Sequence, residues 1–372
     1  MIRGLHDTIT RLAFMRGLET PDAGGSDDGL STFADFGSNP GALNAKAYIP
    51  DTLRKRPPLV VVLHGCTQNA SGYNRNSGWS RAADEHGFAL LFPEQQRANN
   101  PNLCFNWFSH TDASRGRGEA LSIRQMVAEM HARHGTDPAQ VYVTGLSAGG
   151  AMAAVMLATY PDVFAGGGII AGLPFGTARS IPEAFDRMRG HGGPAADELA
   201  EIVRSASKHP GPWPTLSIWH GSSDRTVDPS NAEDLVEQWR ALHGAMKHPT
   251  KTDKVGGYPH RVWCDAQGRE VIEEYVITGM GHGAPLSTVE GQFDEVAGPY
   301  MLEAGISSTR EICRFWGLCD ERIPRTGEIA ALVDRRPRAA RKNSSSQRPS
   351  SHPLAGGITE TIEDALRAAG LM

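Results

Sequence analysis

Chemically, the most informative residue of this sequence is a serine with a glycine two positions away on either side. The segment 141–150 is Val-Tyr-Val-Thr-Gly-Leu-Ser-Ala-Gly-Gly, in which β-branched residues lead into Gly-x-Ser-x-Gly and helix-forming residues follow. This order is typical of a nucleophile elbow, a sharp strand-to-helix turn that exposes one serine hydroxyl. Gly145 and Gly149 fit such a turn because its backbone segments approach too closely for a Cβ, and glycine tolerates strained dihedral angles. We therefore predict that Ser147 is a nucleophile, with the positive end of a helix directed at the charge that develops beside it.

An aspartate downstream of the serine lies where an acid partner is needed. A serine hydroxyl requires a base, and the base requires an acid that fixes its tautomer. In elbow-type sites the order along the chain is serine, acid, histidine. The strand-like run 215–219 leads into a Gly/Ser turn that carries Asp224. Asp228 is the alternative acid, but it precedes a proline and is expected to cap the next helix, so Asp224 is the predicted acid.

A histidine between two glycines follows the last strand-like run and is the predicted base. His282 comes after residues 271–277, and its glycine neighbours leave the loop free to reach over the serine. Among the fourteen histidines it alone combines a strand exit, glycine neighbours and the expected chain order. His260 is the alternative base, since it also lies downstream of Asp224.

Two backbone amides are predicted to bind the oxyanion that develops during acyl transfer. One belongs to Ala148, directly after the nucleophile. The other belongs to Cys66, in the loop that follows the strand-like run 59–63. The preceding His64-Gly65 pair keeps this backbone exposed, and the thiol of Cys66 is not required for the role.

Three further side chains are candidates for substrate binding, namely Trp107, Trp219 and His64. Aromatic surface suits an apolar acyl chain, so the two tryptophans are interpreted as walls of an acyl pocket. The alternative for both is burial in the core. His64 is expected to line the site without acting as the base, and the same is expected of His110 and His220.

These residues lie on a regular alternation of strand-like and helical patterns. Strands are predicted at 59–63, 88–92, 141–144, 168–171, 215–219 and 271–277, and helices at 79–86, 119–134, 151–159 and 232–242. Such alternation is typical of an α/β fold with a mostly parallel central sheet and helices on both faces. Sheets of this kind have their sites at the carboxyl ends of the strands. Residues 174–214 are too long for a plain connection and are predicted to form a helical excursion beside the site.

The sequence divides into four regions. Residues 1–32 are predicted to form an amphipathic helix and a Gly/Asp-rich linker, and residues 33–322 the catalytic domain. Residues 323–357 are basic and then Ser-rich, which predicts disorder, and residues 358–372 return to helical spacing. The two terminal helices are expected to pack on the catalytic body or on each other. The alternative is contact with a hydrophobic particle or polymer surface.

Composition excludes several classes of function. A formal net charge of −5 and a pI near 6.3 give no reason to expect nucleic-acid binding. No apolar run is long enough to span a membrane, and the charged N-terminus lacks the apolar core of a secretory signal. Five cysteines without a CxxC pair argue against a zinc site, and neither a metal nor another cofactor is expected. Cys66 and Cys104 either pair across neighbouring loops or stay as buried free thiols, and the residues alone favour neither.

Five segments, in this order, resemble the poly(3-hydroxybutyrate) depolymerase-like esterases. They begin at Leu63, Phe92, Cys104, Gly145 and Gly172, and their sequences are Leu-His-Gly-Cys-Thr-Gln, Phe-Pro-Glu-Gln-Gln, Cys-Phe-Asn-Trp-Phe, Gly-Leu-Ser-Ala-Gly-Gly and Gly-Leu-Pro-Phe-Gly. The resemblance covers roughly residues 40–320 and implies an α/β-hydrolase fold. It implies a triad of Ser147, Asp224 and His282, in agreement with the prediction from the residues themselves.

The resemblance also implies a substrate class and a location. It implies hydrolysis of polymeric or oligomeric esters of short hydroxyalkanoates, a Cys66–Cys104 disulfide and export from the cell. The N-terminal sequence, taken at face value, predicts a cytoplasmic protein, so these two predictions disagree. Thr177 follows Gly-Leu-Pro-Phe-Gly where relatives often have cysteine, which places one expected disulfide in doubt. An appended substrate-binding domain is not evident, which weakens the case for crystalline polymer.

Two rival functions stand beside this hypothesis. The same family includes feruloyl and acetylxylan esterases, so a carbohydrate esterase is the alternative within enzymes. A rival from a different class is a non-catalytic adaptor that binds polyester granules through its terminal helices. The intact set of serine, aspartate and histidine favours an enzyme that works through an acyl-serine.

Overall fold

The central strands are apolar on both faces, as residues Leu59–Leu63 illustrate. All five side chains are buried, and alternate members pack into two separate hydrophobic clusters. Because successive side chains of a strand point to opposite faces, both faces of the sheet are covered. The computed structural model describes residues 29–289 and 293–319, and this part of the chain has an α/β fold.

Within the described residues, ten strands form one sheet and two short strands form another. In chain order the strands are β1 (Ser31–Thr32), β2 (Asn44–Tyr48), β3 (Leu59–Leu63), β4 (Ala89–Glu94), β5 (Val141–Leu146), β6 (Gly166–Ile170), β7 (Thr215–Gly221), β8 (Lys251–Val255), β9 (Tyr258–Cys264), β10 (Glu270–Ile277), β11 (Ala284–Leu286) and β12 (Met301–Glu303). The large sheet has the order β1-β2-β4-β3-β5-β6-β7-β10-β9-β8. Its strands from β4 to β10 in that order are parallel, and antiparallel strands complete both edges.

Helices cover the two faces of this sheet. They are α1 (Ala70–Ser77), α2 (Trp79–His86), α3 (Gly118–His134), α4 (Ala148–Thr159), α5 (Ile181–Met188), α6 (Ala196–Ala206), α7 (Ser230–His243) and α8 (Ser308–Phe315). Helix α4 is buried over its whole length. Its many alanines and its two glycines allow this close packing, because they carry almost no side-chain volume.

The predicted α/β fold with its mostly parallel sheet is confirmed. Each predicted strand and helix of the body is present, with ends that differ from the prediction by a few residues. The region 174–214 contains two helices, α5 and α6. These elements carry strong local signals, since their apolar runs are long, regular and bounded by glycine or proline.

The antiparallel edges of the sheet were not predicted. Strand β8 is Lys-Thr-Asp-Lys-Val, has no buried residue and lacks apolar alternation. It is held by backbone pairing with β9 rather than by burial of its side chains. Pairing of this kind leaves no period-two signal in the sequence.

The predicted terminal regions lie outside the described residues. This applies to most of the segment 1–32, to the basic and Ser-rich segment 323–357 and to the predicted helix 358–372. The large sheet begins at Ser31, slightly before the predicted start of the catalytic body at Phe33. In the residues that are described, no helix has the length and apolar character that crossing a membrane requires.

Candidate active site

Three loops that leave the carboxyl ends of parallel strands bring the predicted site residues together. Ser147 directly follows β5, Asp224 lies in the loop after β7, and His282 lies in the loop after β10. Strands β7 and β10 are neighbours, and only β6 separates β7 from β5. The strand order therefore places all three side chains at one edge of the sheet, as expected for this type of fold.

The turn at Ser147 is strained and tightly packed. Ser147 has φ 57° and ψ −120°, and its amide donates to the carbonyl of Ile170 at 2.9 Å. A Cβ on Gly145 would overlap the backbone of Gly149, and a Cβ on Gly149 would overlap the carbonyls of Leu63 and His64. The two glycines are thus required for close approach, whereas the positive φ is carried by the serine itself. The strain holds the hydroxyl above the sheet, where a reacting group can reach it.

The serine, the histidine and the aspartate form one chain of hydrogen bonds. His282 Nε2 lies 2.9 Å from Ser147 Oγ, and His282 Nδ1 lies 2.7 Å from Asp224 Oδ2. A carboxylate can only accept, so the Nδ1 proton is donated to Asp224. Nε2 is then the acceptor for the serine hydroxyl. This is the tautomer in which the imidazole can take a proton from the serine.

Asp224 is held in its ionised form. Its side chain is buried, and its Oδ1 accepts from the amides of Thr226 and Val227 at 2.8 and 2.9 Å. Burial raises the pKa of Asp224, but hydrogen bonds and charge from His220 and His282 outweigh it and hold the pKa below its usual range. An ionised acid can stabilise the positive charge that His282 gains when it takes a proton.

The acid loop and the base loop are joined directly. The Ser223 amide donates to the Met280 carbonyl at 2.9 Å, and the Gly279 amide donates to Ser222 Oγ at 2.9 Å. A Cβ on Gly221 would overlap the carbonyls of Met280 and Gly281. These contacts fix the distance between Asp224 and His282, so the base is less free to swing than its flanking glycines suggest.

The two predicted oxyanion donors lie on segments that touch each other. Ala148 is the first residue of α4, and the loop that carries Cys66 packs against Gly149. Throughout residues 29–289 and 293–319, neither amide donates to another group. Cys66 forms a disulfide with Cys104, with their Cα atoms 4.3 Å apart. Both amides therefore remain available to a developing oxyanion.

The structure changes the interpretation of two predicted substrate contacts. Trp219 is fully buried, stacks on Tyr275 at a ring distance of 3.8 Å and donates its Nε1 proton to Ser217. It belongs to the core, as the alternative interpretation had it, because its strand is covered on both faces. His64 is also buried, and both of its ring nitrogens bond to backbone groups, so it has no face for a substrate.

The remaining candidates are placed as follows. Trp107 is 6% exposed and meets Phe108 edge to face, in the same cluster as Ala148. Asp228 lies two residues before α7, and its Oδ1 accepts from the amide of Ser230, the first residue of that helix, at 3.0 Å; the N-cap position itself is Pro229. His260, on β9, lies between Asp253 of β8 and Glu273 of β10, so both of its ring nitrogens are engaged away from Ser147.

Two further residues contact the triad, and the sequence interpretation missed the second of them. His220, the last but one residue of β7, has its Nε2 3.4 Å from Asp224 Oδ2 and 2.8 Å from the Val227 carbonyl. Tyr300 presents its ring edge to His282 at 6.0 Å between ring centres. His220, at a strand end before a glycine, was expected to line the site, and its contact with Asp224 agrees with that. Tyr300 was missed because it lies eighteen residues after His282, and a contact at that separation leaves no pattern in the sequence.

Comparison with known proteins agrees with this geometry. Residues 43–258 match the family described as esterase PHB depolymerase. The chain is 46% identical over 295 residues to poly(3-hydroxyalkanoate) depolymerase C of Paucimonas lemoignei, which covers 78% of this chain and 70% of that protein. It is 30% identical over 267 residues to feruloyl esterase B of Talaromyces stipitatus, which covers 69% and 72%. Among solved structures, the acetyl xylan esterase from Aspergillus awamori is similar with a TM-score of 0.66 at 26% identity, covering 78% of this chain and 99% of that one.

Proposed function

This chain belongs to the poly(3-hydroxybutyrate) depolymerase family of esterases, and we propose that it hydrolyses esters of short 3-hydroxyalkanoates through an acyl-serine. Its relatives are hydrolases of carboxylic esters, and the chain is a hydrolase of that type. The catalytic proposal rests on the two hydrogen bonds that link Asp224 to His282 and His282 to Ser147.

In the first half of the reaction the ester is split. Ser147 Oγ attacks the carbonyl carbon while His282 Nε2 takes the serine proton, and Asp224 stabilises the resulting imidazolium. The amides of Ala148 and Cys66 donate to the oxyanion of the tetrahedral intermediate. His282 then gives its proton to the leaving alkoxide oxygen. The C–O bond breaks, and the acyl group stays on the serine.

In the second half water takes the place of the alcohol. His282 Nε2 accepts a proton from the water, and the hydroxide attacks the acyl carbon. The same two amides hold the second oxyanion. When this intermediate collapses, the proton returns to Ser147 and the free acid leaves.

The choice of acyl group rests on the similarity of relatives. Identity to the 3-hydroxyalkanoate depolymerase is 46%, compared with 30% to a feruloyl esterase and 31% to an acetylxylan esterase of Coprinopsis cinerea. The likeness to a solved acetyl xylan esterase supports the carbohydrate esterase as the second candidate. The adaptor hypothesis is disfavoured by the intact bond chain, since a protein that only binds has no need of a base in this tautomer.

A separate proposal concerns contact between the terminal segments and solid polymer. As the alternative to packing on the catalytic body, residues 1–20 and 358–372 are proposed to contact a hydrophobic polyester surface, because their apolar residues recur at helical spacing. Deleting residues 1–20, which leaves β1 in place, or residues 358–372 should lower adsorption to polyester particles and leave hydrolysis of soluble oligomers unchanged. Equal adsorption of the shortened and full chains would remove this part of the proposal.

The test of the substrate class is a direct competition of esters. We expect kcat/KM for 3-hydroxybutyrate oligomers to exceed that for methyl ferulate and for acetylated xylo-oligosaccharides by at least about tenfold, the factor that roughly 1.4 kcal/mol of transition-state binding provides. A higher value for either carbohydrate-linked ester would assign the second candidate function instead.

The general esterase activity needs its own control. Hydrolysis of p-nitrophenyl butyrate by the wild-type chain should be lost in Ser147→Ala. A wild-type chain that hydrolyses none of these esters would favour the adaptor.

A further inference from the structure

A buried carboxylate that takes no part in the reaction steps lies behind the oxyanion loop. Glu119 stands in the first turn of α3 and has no exposed surface. Isolated buried carboxylates are costly, so a chain that places one here must supply it with partners.

Every partner of Glu119 is a hydrogen-bond donor. Its Oε1 accepts from Gln95 Nε2 at 2.7 Å, from Asn106 Nδ2 at 2.6 Å and from Asn99 Nδ2 at 3.2 Å. Its Oε2 accepts from the backbone amide of Asn106 at 2.8 Å. Burial raises the pKa of Glu119 to about 7, and the bonds from Asn106 and Gln95 oppose this rise. Four donors and no acceptor indicate that the site is built for the carboxylate form.

The contact with Gln95 leads towards the oxyanion loop. The side chain of Gln95 bridges Glu119 and the carbonyl of Cys104, and its backbone amide donates to His64 Nε2 at 3.1 Å. A backbone amide can only donate, so Nε2 of His64 carries no proton. The ring proton is therefore on Nδ1, which donates to the Gly65 carbonyl at 2.8 Å.

The Gly65 carbonyl belongs to the same peptide group as the Cys66 amide. In a trans peptide the N–H points away from the C=O, so a donor on the oxygen fixes the direction of the N–H. A hydrogen bond to the oxygen also polarises the group and makes its N–H a stronger donor. The Gln68 amide donates to the same carbonyl at 3.3 Å, which fixes the plane further.

We infer that Glu119, Gln95 and His64 form a relay that orients and polarises the Gly65–Cys66 peptide, so that Glu119 is a positioning residue for the oxyanion. The inference rests on the proposed function, because it requires the Cys66 amide to meet the oxyanion. It also explains why His64 is buried and bonded rather than exposed to substrate.

The expected effect is a loss of transition-state stabilisation without a loss of substrate binding. Removing one oxyanion donor costs about 10²- to 10³-fold in kcat, so a donor that is weakened should cost roughly 10- to 100-fold. Glu119→Gln places an amide NH₂ among four donors and breaks the relay at its start. We expect kcat for p-nitrophenyl butyrate to fall by that factor and KM to change less than about threefold.

A boronic acid provides a readout that a general loosening of the fold would not move. Phenylboronic acid forms a negatively charged tetrahedral adduct with an active serine and so resembles the transition state. Its Ki should rise in Glu119→Gln by the same factor by which kcat/KM falls. Glu273→Gln is the matched control, since Glu273 is also fully buried and accepts from Ser217 and His260 on other strands. That control should lower the melting temperature but leave kcat and the boronate Ki within about threefold.

A second variant protects the test against misfolding. Gln95→Met keeps the backbone amide of residue 95, which bonds to His64, and it leaves Glu119 its three other hydrogen bonds. It removes the side-chain hydrogen bond that joins residue 95 to Glu119. It should show the same loss of kcat with KM retained. Since both changes cut one relay, the double variant should cost no more than the worse single variant.

Each outcome decides one proposal. Wild-type hydrolysis that is lost in Ser147→Ala establishes the proposed function independently of the relay. With that in place, an unchanged kcat in Glu119→Gln, equal losses in Glu119→Gln and Glu273→Gln, or additive losses in the double variant would overturn the relay alone. A wild-type chain without esterase activity would overturn both.

Discussion

Two clusters in this molecule contain a serine, a histidine and an acid in one chain of hydrogen bonds. The first is the active-site cluster of Ser147, His282 and Asp224. The second, which we call the edge cluster, consists of Ser217, His260, Asp253 and Glu273. The residue types are nearly the same in the two, but the order of partners differs. In the active-site cluster the histidine lies between a carboxylate and a hydroxyl, whereas in the edge cluster it lies between two carboxylates.

The order of partners decides what each histidine can do. His260 Nδ1 lies 2.7 Å from Asp253 and its Nε2 lies 3.2 Å from Glu273, so both nitrogens face acceptors. Burial lowers the pKa of His260, but bonds and charge from Glu273 and Asp253 outweigh it and raise the pKa overall. His260 is thus a donor on both sides and cannot act as a base. His282 faces only one carboxylate and keeps a nitrogen for the serine.

The two serines differ in the same way. Ser217 is fully buried, donates its proton to Glu273 at 2.6 Å and accepts from Trp219 at 2.8 Å. Its hydroxyl is fully used, and no ester can approach it. Ser147 is only half-buried and donates to a neutral imidazole. A set of catalytic residue types is therefore insufficient without an accessible nucleophile and a nitrogen that is free to accept.

The edge cluster has a structural role. Its members come one each from β7, β10, β9 and β8, which are neighbours at one edge of the sheet. The cluster joins the antiparallel edge strands to the parallel part of the sheet. It replaces the apolar packing that the polar strand β8 lacks.

The largest expected effect separates the two serines. Ser147→Ala should lower kcat for p-nitrophenyl butyrate by about 10⁵-fold, because the nucleophile is lost. Ser217→Ala should leave kcat within about threefold and lower the free energy of unfolding by about 1–3 kcal/mol, because one oxygen of Glu273 loses its donor. Steady-state kinetics and urea unfolding measure the two quantities. Loss of turnover in a folded Ser217→Ala protein would contradict the structural role of Ser217.

Substitutions at His282 and His260 should likewise affect different quantities, kcat for the first and stability for the second. His282→Gln should lower kcat by about 10⁵-fold, since no base remains for Ser147. His260→Gln should keep kcat within about threefold but destabilise the fold by roughly 3–5 kcal/mol, because it breaks a buried ion pair. Kinetics measured well below the unfolding temperatures of both variants separates the effect on kcat from the effect on stability. Retained activity in His282→Gln would assign the base elsewhere.

The two aspartates of the acid loop sharpen the assignment of the acid. Asp224→Asn should lower kcat by about 10⁴-fold, because an amide no longer holds His282 in the required tautomer. Asp228→Asn should leave kcat within about twofold, since the side-chain oxygen of Asn can accept the same hydrogen bond from the Ser230 amide. Equal losses in the two variants would contradict the choice of Asp224.

The smallest expected effect is a pH dependence confined to the edge cluster. The folded pKa of His260 is raised above its unfolded value, so its charge stabilises the fold fully below about pH 6.5. This contribution is lost as the pH rises through the raised pKa. The stability difference between wild type and His260→Gln, measured by urea unfolding, should therefore be larger at pH 6 than at pH 9. A difference that is constant or grows with pH would show that His260 is neutral in the fold.

Much of the fold and of the candidate site was predictable because the signals are local. The elbow serine, the aspartate after β7 and the histidine after β10 each follow an apolar run and have a glycine within three residues. The strand-end rule then brings them together without knowledge of any distance. The elbow glycines were predicted for close approach, and a Cβ at either position would indeed overlap backbone.

What was missed depends on contacts between distant segments. The sequence predicts a sheet covered on both faces, but it also places Trp219 near the carboxyl end of its strand, where site residues lie, so a pocket wall and a core residue were equally acceptable. His64 was placed near the site correctly, but its role depends on Gln95 and Glu119, which follow it by 31 and 55 residues. The edge strand β8 has no apolar pattern because polar bonds hold it.

Ser147, unlike Ser217, combines a half-buried hydroxyl with an imidazole nitrogen that can accept its proton, and covalent labelling tests this difference. A fluorophosphonate ester reacts with a serine that a neighbouring base activates. Mass spectrometry of the labelled chain should find one adduct, on the peptide that contains Ser147. The adduct should be absent in Ser147→Ala and in His282→Gln but present in His260→Gln. A label on Ser217 or another serine, or labelling of Ser147 that persists without His282, would contradict the account.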